Sequence, residues 1–445
     1  MPYTAMETNT ATKLILIAKI AKERKTEKFT SLMHLLNAEY FYECFTELKK
    51  RKAAGIDGRT VESYSDGEIK QILSQTVEAI RQKKYHPRPV RSVAIAKDNG
   101  KTRSLGIPTV VDKVVQLAMT KILTAIYEPS LLDVSYGYRP ERDAHTCLKA
   151  VNHMIMQKKV NWIIDADISG YFDTIDHTWM MRCISEKIAD PNFKSLIMRF
   201  LRAGTMKENI YQGSAKGTPQ GGIISPILAN IYLHFVLDLW FERKEKRTAI
   251  GYVELIRYAD DFLIGVQHAE EAKQILTDLA DRLKKFGLRL AEEKTSIKEF
   301  GRFALENQTK RGKRKSETFD FLGFSHYCSS TRDGRFMVKV ITSKKKMKKS
   351  LTTMHRFLKS VRVNKHPKDI WLTLRLKLQG HYNYYGVSGN IEGLKHYDKK
   401  TQEYLFYWFS KKSQRDRWNR EEFRRYLARY PLPQPKLTYA IYNTW

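Results

Sequence analysis

The sequence predicts an α+β protein of two or three packed lobes, and three observations carry that expectation. The chain is 445 residues long, beyond the size at which one hydrophobic core keeps growing. Two strand–turn–strand signals are embedded among helical patterns, which is the signature of an antiparallel sheet packed with helices. The last third turns to basic helices with few strand signals. A hydrophobic content of 42% supplies enough apolar surface to fold all of it.

Taken in order, apolar residues recur at helical spacing from Thr12 to about Lys52, as in Leu32, Leu35 and Leu36, until Gly55-Ile56-Asp57-Gly58 breaks the pattern. This reads as a helical N-terminal extension. Between Pro89 and Val111, Val93-Ala94-Ile95-Ala96 and Ser104-Leu105-Gly106-Ile107 flank Asp98-Asn99-Gly100-Lys101, two short strands around an Asn-Gly turn. Helices are expected at 112–128 and 143–157, a strand from Val160 to Ile168, and helices over 177–203. Ser225 to Leu239 reads as a helix entered through Gly217-Thr218-Pro219-Gln220-Gly221-Gly222. Tyr252–Tyr258 and Phe262–Val266 flank Ala259-Asp260-Asp261 as the arms of a second hairpin. A helix at 268–286 and a strand at 288–290 complete the mixed unit. A boundary is placed near 333 to 345, giving segments 1–88, 89–332, 333–430 and a tail, 431–445.

The formal charge of +31 exceeds what solubility requires, and the usual partner of such a surface is a phosphate backbone. A purely structural basic protein would carry the same charge, so chemistry has to be sought in the motifs. Cys44, Cys147, Cys183 and Cys328 are scattered, with neither a Cys-x-x-Cys pair nor a matching His spacing for zinc, which fits a reducing, cytoplasmic setting. The apolar run Leu14–Ile20 is broken by Lys19, so no signal peptide or membrane span is expected.

Paired carboxylates are the feature with chemical content. Two divalent ions held by hard oxygen ligands are the device of nucleotidyl transfer. Asp260 and Asp261, at a hairpin turn, can both approach one ion pair, although adjacent residues on a flat strand could not. A third carboxylate must come from elsewhere. Asp167, at the end of Trp162-Ile163-Ile164-Asp165-Ala166, is the best placed; Asp165, Asp173 and Asp176 compete, and Asp165 shares its strand face, so spacing leaves the choice open. Tyr258-Ala259-Asp260-Asp261 alone could be an ordinary acidic turn. The order Asp167, an aromatic five residues on, a Pro-Gln-Gly loop and then the acidic turn is what strengthens it.

From Lys28 to about Tyr430 the text resembles the group II intron-encoded reverse transcriptase/maturase family. The matching motifs are Ala54-Gly55-Ile56-Asp57-Gly58, Leu105-Gly106-Ile107-Pro108-Thr109, Ser135-Tyr136-Gly137-Tyr138-Arg139-Pro140, Asp165-Ala166-Asp167, Gly217–Gly222, Arg257-Tyr258-Ala259-Asp260-Asp261 and Phe321-Leu322-Gly323-Phe324. The resemblance implies a right-hand polymerase with fingers, palm and an α-helical thumb or maturase domain. It implies catalytic Asp167, Asp260 and Asp261, and a metal set of Asp167, Ile168, Asp260 and Asp261 for two Mg2+ ions, with Mn2+ as a substitute. Phe172 matches the aromatic under the sugar, where a 2′ hydroxyl finds no room. Lys97 and Arg103 match contacts to the incoming triphosphate, Gln220 a place near nucleotide and template, and Lys294 the group proposed to protonate pyrophosphate. Phe321, Leu322, Gly323 and Phe324 match the primer grip.

Lys344, Lys345, Lys346, Lys348 and Lys349 would usually be a solvated face, but Met347, Leu351, Met354 and Leu358 lay a helical apolar stripe beneath them. One face can pack while the other meets phosphates. The aromatic residues that follow, through Gly380-His381-Tyr382-Asn383-Tyr384-Tyr385-Gly386, fit base stacking or a packed core equally. The resemblance implies nucleic-acid partners: group II intron RNA, an RNA template with a DNA primer, target DNA and dNTPs, with nucleoid association in a bacterial-type cytoplasm. Many members of that family carry a further zinc-containing endonuclease, for which this chain has neither the length nor the paired cysteines, so that if it mobilises an intron the primer is expected from elsewhere, such as a nascent strand. The reading is an RNA-directed DNA polymerase that also assists splicing and intron mobility. The alternatives are a domesticated relative in DNA repair or phage defence, or chiefly an RNA-binding splicing cofactor.

Overall fold

The structure, a computed structural model, describes residues 9–96, 102–207, 210–218, 221–312, 316–361, 367–410 and 419–442. Among these residues the strands in chain order are β1 (Val90–Ala96), β2 (Thr102–Ile107), β3 (Trp162–Asp167), β4 (Thr205–Lys207), β5 (Ile210–Gln212), β6 (Val253–Tyr258), β7 (Asp261–Val266), β8 (Ser296–Glu299), β9 (Thr318–Phe321), β10 (Phe324–Ser330) and β11 (Phe336–Thr342). They form three sheets, ordered β2-β1-β4-β5, β6-β7-β3-β8 and β11-β10-β9.

The central sheet β6-β7-β3-β8 is antiparallel throughout. Successive residues of a strand face opposite sides, and here the two sides meet different cores. Ile164 and Ala166 of β3 join the larger core with the helix Val110–Tyr127 and the helix Ser225–Leu233. Ile163 of β3, Leu263 of β7 and Ile256 of β6 join a second core with Phe300, Phe319 and Phe324. That second face also carries Asp165 and Asp167 on β3 and Asp261 on β7, so it turns from apolar to acidic at one end of the strands.

Most expected elements are present with shifted ends, and the differences have local causes. The N-terminal helical pattern is two helices, Thr10–Glu23 and Ala38–Glu47, the second started by Asn37, whose side chain accepts from the Tyr40 N–H at 2.9 Å. Leu32, Leu35 and Leu36 lie between them around one tight turn, yet all are core residues. A helix Asp66–Arg81, capped by Ser65, adds to the expected elements. So does the hairpin β4–β5, which joins β1 in parallel through Val90 and Thr205. The strand expected at 288–290 is a single bridge from Leu290 to Ile168, and β8 pairs with β3 instead. The helix from Ser225 continues past Leu233 through two wide turns, His234–Asp238 and Phe241–Glu245.

β9 and β10 are joined by the two-residue turn Leu322-Gly323, with φ of 49° and 83°; positive φ at both positions suits a tight hairpin. β10 and β11 are the arms of one hairpin, and Ser343 then leads into the helix Lys344–Val361. Its residues Met354 and Leu358 pack with Leu374, Leu378, Leu394 and Leu405 of the next two helices, Pro367–Tyr385 and Ile391–Ser410, in a third core. The segment after Tyr430 folds back: the Thr438 N–H donates to the Gly386 carbonyl at 2.6 Å, and Ile441 enters the second core. All four cysteines are buried and unpaired with one another. Among the described residues no helix is long and apolar enough to cross a membrane.

His326 on β10 is fully buried, stacked on Phe319 with ring centroids 4.6 Å apart, and neither of its ring nitrogens has a partner. Burial pushes its pKa down from 6.5 to about 3. The unfolded chain therefore binds a proton that the native state refuses, and stability present above about pH 6.5 is lost as pH falls toward 3. His326→Phe removes that proton and two unpartnered polar atoms. Thermal melts from pH 7.5 to 4.5 are expected to fall less steeply for the variant, by about 2 kcal/mol over that range, the remainder of the fall including the buried His234 and His381, both pushed down to about 4.

Candidate active site

The β6–β7 turn is short because Tyr258 pairs with Asp261, leaving only Ala259 and Asp260 to close it. Ala259 takes the left-handed conformation, φ 56°, which an L-residue with a Cβ resists. The turn is held from beneath. The Arg257 side chain is fully buried and donates through Nε and Nη2 to the two carboxylate oxygens of Asp238, at 2.7 and 2.6 Å. Its Nη1 donates to Asn230 Oδ1 at 3.0 Å and to the Ala259 carbonyl at 2.9 Å. Asn230 Nδ2 in turn donates to the Gly137 carbonyl at 2.7 Å. Gly137 lies so close to the turn that a Cβ there would stand 2.5 Å from the Ala259 nitrogen. The motif Ser135–Pro140 is thus a buttress: the Arg257 N–H donates to the Val134 carbonyl at 2.7 Å, and the Tyr136 N–H to the Arg257 carbonyl at 2.8 Å.

Above this support the carboxylates assemble. Asp167 and Asp261 are direct cross-strand partners, so their side chains leave the same face. Asp260 stands beside them in the turn. The Lys294 ammonium pairs with Asp167, and Lys298 with Asp165 at 3.4 Å. The competitors named from spacing have other settings: Asp176 caps a helix by accepting from the Trp179 N–H at 3.0 Å, and Asp173 lies in the short helix Tyr171–Thr174. Asp165 is one step further from the turn, opposite Leu263.

Close packing around the Asp261 carboxyl, and then the negative charges of Asp260 and Asp167, push its pKa up from 3.8 to about 7, while Lys294 pulls it down. Asp261 is nevertheless exposed along the cleft, so the repulsion is open to relief by a cation from solvent. Hard carboxylate oxygens with excess negative charge are the donor set that a divalent cation of the magnesium class takes. Among the described residues no group of three or more His, Cys, Asp or Glu stands close enough to form a ready-made cage. The donor chemistry fits, with Lys294 held where Asp167 would meet an ion. Ile168 has a buried side chain without a donor atom, so only its main chain could take part.

A cleft of about 620 Å³ opens on this face, lined among others by Asp165, Asp167, Asp261, Lys294, Leu322, Gly323, Lys345, Lys346 and Tyr384. It brings together three sets of residues that lie far apart in the chain. The link is covalent and hydrogen-bonded: the Ser343 N–H donates to the Gly323 carbonyl at 3.0 Å, and the Tyr384 hydroxyl to the Leu322 carbonyl at 2.9 Å. Phe321 and Phe324 are buried in the second core and support the turn from below. Lys344, Lys348 and Lys349 are exposed on the same helix, whereas Lys345 and Lys346 line the cleft. Phe172 is half-buried against Tyr171, and its carbonyl accepts from the Thr218 N–H at 2.7 Å. Arg103 stands on β2 opposite Ile95; Lys97 and Gln220 lie outside the described residues.

Sequence reasoning missed Asp238, Asn230 and the role of Gly137. The one available signal was Asp238 itself, an acid inside the apolar run Val236-Leu237-Asp238-Leu239-Trp240, where a charge has to be paired.

Residues 95–326, more than half of the chain, match the family described as Reverse transcriptase (RNA-dependent DNA polymerase). The chain is 34% identical over 346 residues to the Group II intron-encoded protein LtrA of Lactococcus lactis subsp. cremoris, covering 63% of this chain and 56% of that protein. It is 33% identical over 249 residues to Protein YkfC of Escherichia coli (strain K12), covering 48% of this chain and 64% of that protein. A more distant relative, 26% identical over 159 residues, is Nuclear intron maturase 4, mitochondrial, of Arabidopsis thaliana, covering 35% of this chain and 19% of that protein. The chain thus spans a little over half the length of the Lactococcus lactis protein.

The raised Asp261 pKa carries a stability prediction. The native state binds a proton there more readily than the unfolded chain, so the cation-free protein loses stability as pH rises from about 4 to about 7. Asp261→Asn removes this term. Thermal melts at pH 7.5 without divalent ions should show a higher Tm for the variant, and added Mg2+ should raise the Tm of the wild type but not of Asp261→Asn.

Proposed function

Because the chain belongs to the reverse transcriptase (RNA-dependent DNA polymerase) family, we propose that it synthesises DNA on an RNA template at the Asp167–Asp260–Asp261 face, and that it also binds group II intron RNA to assist splicing and mobility. The observation that carries this reading is the cross-strand pairing of Asp167 with Asp261 next to a two-residue turn bearing Asp260, at the mouth of a cleft lined by lysines.

In the proposed reaction the primer 3′ hydroxyl gives up its proton to solvent as its oxygen bonds to the α-phosphorus of a dNTP, the bond from that phosphorus to the bridging oxygen breaks, and pyrophosphate leaves. Two Mg2+ ions, with Mn2+ as a substitute, would activate the attacking oxygen and neutralise the leaving group when bound. Asp167, Asp260 and Asp261 would hold them, with the Ile168 main chain alongside. Lys294, released from Asp167, would face the leaving phosphates and hand them its Nζ proton. Phe172 closes the space a ribose 2′ hydroxyl would need, which favours dNTPs. Lys97 and Arg103 are assigned to the triphosphate and Gln220 to the nucleotide and template. The Leu322-Gly323 turn, backed by Phe321 and Phe324, would support the primer end.

We assign residues 1–88 to a helical N-terminal extension and the start of the fingers, 89–332 to fingers and palm, and 333–430 to a thumb or maturase domain. Its lysines, Lys344, Lys345, Lys346, Lys348 and Lys349, would contact phosphates of the duplex or the intron RNA. A charge of +31 suits compaction of a folded RNA, whose own active site would do the splicing chemistry. Target DNA is the remaining partner.

Asp260→Asn is expected to lower cDNA synthesis on an RNA template with a DNA primer by about 10³-fold or more, while splicing of a group II precursor RNA persists. Wild-type rates of cDNA synthesis in the variant would refute the site. Replacing the five lysines at 344–349 by Gln should weaken RNA binding and reduce the slope of log K against log salt by about 0.7 for each phosphate that is no longer neutralised; an unchanged slope would remove those lysines from the RNA interface.

A further inference from the structure

We propose that Arg257 is a positioning residue: with Asp238, Asn230 and Gly137 it holds Ala259 in the left-handed conformation that sets the directions of Asp260 and Asp261, the residues that would hold the metal ions. The proposal rests on the polymerase reading above and adds residues that the reading does not use.

The Arg257 side chain is fully buried. A guanidinium with no solvent contact has lost its hydration, and replacing such a pair by apolar residues of similar size is often neutral or stabilising. Core packing therefore gives no reason for an arginine here. What an arginine supplies is a rigid fork of five donors, and the fork ties the helical segment to the turn. Two bonds go to Asp238 and one to Asn230, both on the helical segment that begins at Ser225, and one goes to the Ala259 carbonyl. The last is the informative one, because it bypasses the core and grips the backbone of the turn itself.

Ala259 needs that grip. The left-handed region disfavours an L-residue by roughly 5- to 30-fold, so an unrestrained Tyr258-Ala259-Asp260-Asp261 turn would spend most of its time in other conformations. Two devices oppose this. Arg257 Nη1 fixes the Ala259 carbonyl from inside, and Gly137, with no Cβ, lies against the Ala259 nitrogen from the other side. Asn230 joins the two, since it accepts from Arg257 and donates to the Gly137 carbonyl. Asp238 reaches the guanidinium because the helix widens over His234–Asp238, where the added residue turns its carboxylate inward. None of the four is among the residues that line the cleft, so they act through the turn.

The test is a double-mutant cycle. Asn230→Ala removes one bond to Arg257 and the bond to Gly137; Arg257→Lys keeps the charge but cannot serve Asp238, Asn230 and Ala259 together. In folded protein, each is expected to lower kcat for cDNA synthesis by about 100-fold, to change KM for template–primer by less than about threefold, and to raise the Mg2+ concentration for half-maximal activity. Because glycine adopts the left-handed region freely, introducing Ala259→Gly should shrink the effect of Asn230→Ala to less than about tenfold. A purely structural role would lower Tm, leave kcat of the folded fraction intact and be indifferent to Ala259→Gly. Should Arg257→Lys fail to fold, Asn230→Ala decides alone. The proposal is overturned if folded Asn230→Ala retains kcat within about threefold, or loses the same factor with and without Ala259→Gly. If the wild type itself makes no cDNA, the polymerase reading fails separately; binding of Mn2+ alone, followed by EPR, then tests the clamp, with weaker binding in Asn230→Ala expected and unchanged binding overturning it.

Discussion

The contact on which the rest of this structure depends is the buried pair Arg257–Asp238. It joins the helical segment behind the central sheet to the end of strand β6, at the point where the chain must reverse within two residues. Removing one member of such a pair strands a charge without water and costs about 3–5 kcal/mol, a large share of the stability of any domain. The pair is also directional. A hydrophobic contact at this place would tolerate small slides of helix against sheet, whereas a fork bound to two carboxylate oxygens fixes both the distance and the orientation. That precision is passed to the Ala259 carbonyl and then to the carboxylates that follow it.

The central sheet shows how a single alternating pattern can build a core and a site at once. Ile163, Asp165 and Asp167 share one face of β3, and Leu263 and Asp261 share the same face of β7. At one end of the paired strands the face is covered by Phe300, Phe319 and Phe324; at the other the cover stops and carboxylates replace the aliphatic side chains. The carboxylates are therefore anchored by the strand positions just behind them. Asp167 and Asp261 owe their geometry to paired strands rather than to a loop, and rigid elements of that kind hold mutually repelling acids in place.

How far the sequence discloses this depends on the range of the interaction concerned. Asp167, Asp260 and Asp261 are legible because strand alternation and a tight turn are local, and the resemblance puts them in register. Leu32, Leu35 and Leu36 are legible as core but not as a tight turn, since burial depends on composition and helix type on neighbours. Asp165 and Asp167 cannot be separated by spacing; that Asp167, and not Asp165, lies opposite Asp261 is a tertiary fact that spacing does not carry. Asp238 is the clearest case of an unreadable role. At regular α-helical periodicity its direction would be misassigned, because the wide turn at His234–Asp238 shifts the register, and no residue in that run announces a wide turn. In the sequence Phe321-Leu322-Gly323-Phe324 reads equally as a primer grip and as a core strand, and the structure shows both settings, since Phe321 and Phe324 are buried in the second core while Phe321, Leu322 and Gly323 line the cleft.

The lysines of the cleft follow from the same electrostatics. Lys294 and Lys298 answer Asp167 and Asp165, and Lys345 and Lys346 arrive from a helix whose N-terminus is tied to the Gly323 turn through Ser343. Cations at a helix N-terminus oppose the helix dipole, so their placement there costs stability that packing of Met354 and Leu358 must offset. In a cleft that holds both acids and lysines, a divalent cation that took the place of an ammonium at a carboxylate would leave that ammonium available to a phosphate, so a metal and a polyphosphate would each neutralise the charge that the other uncovers.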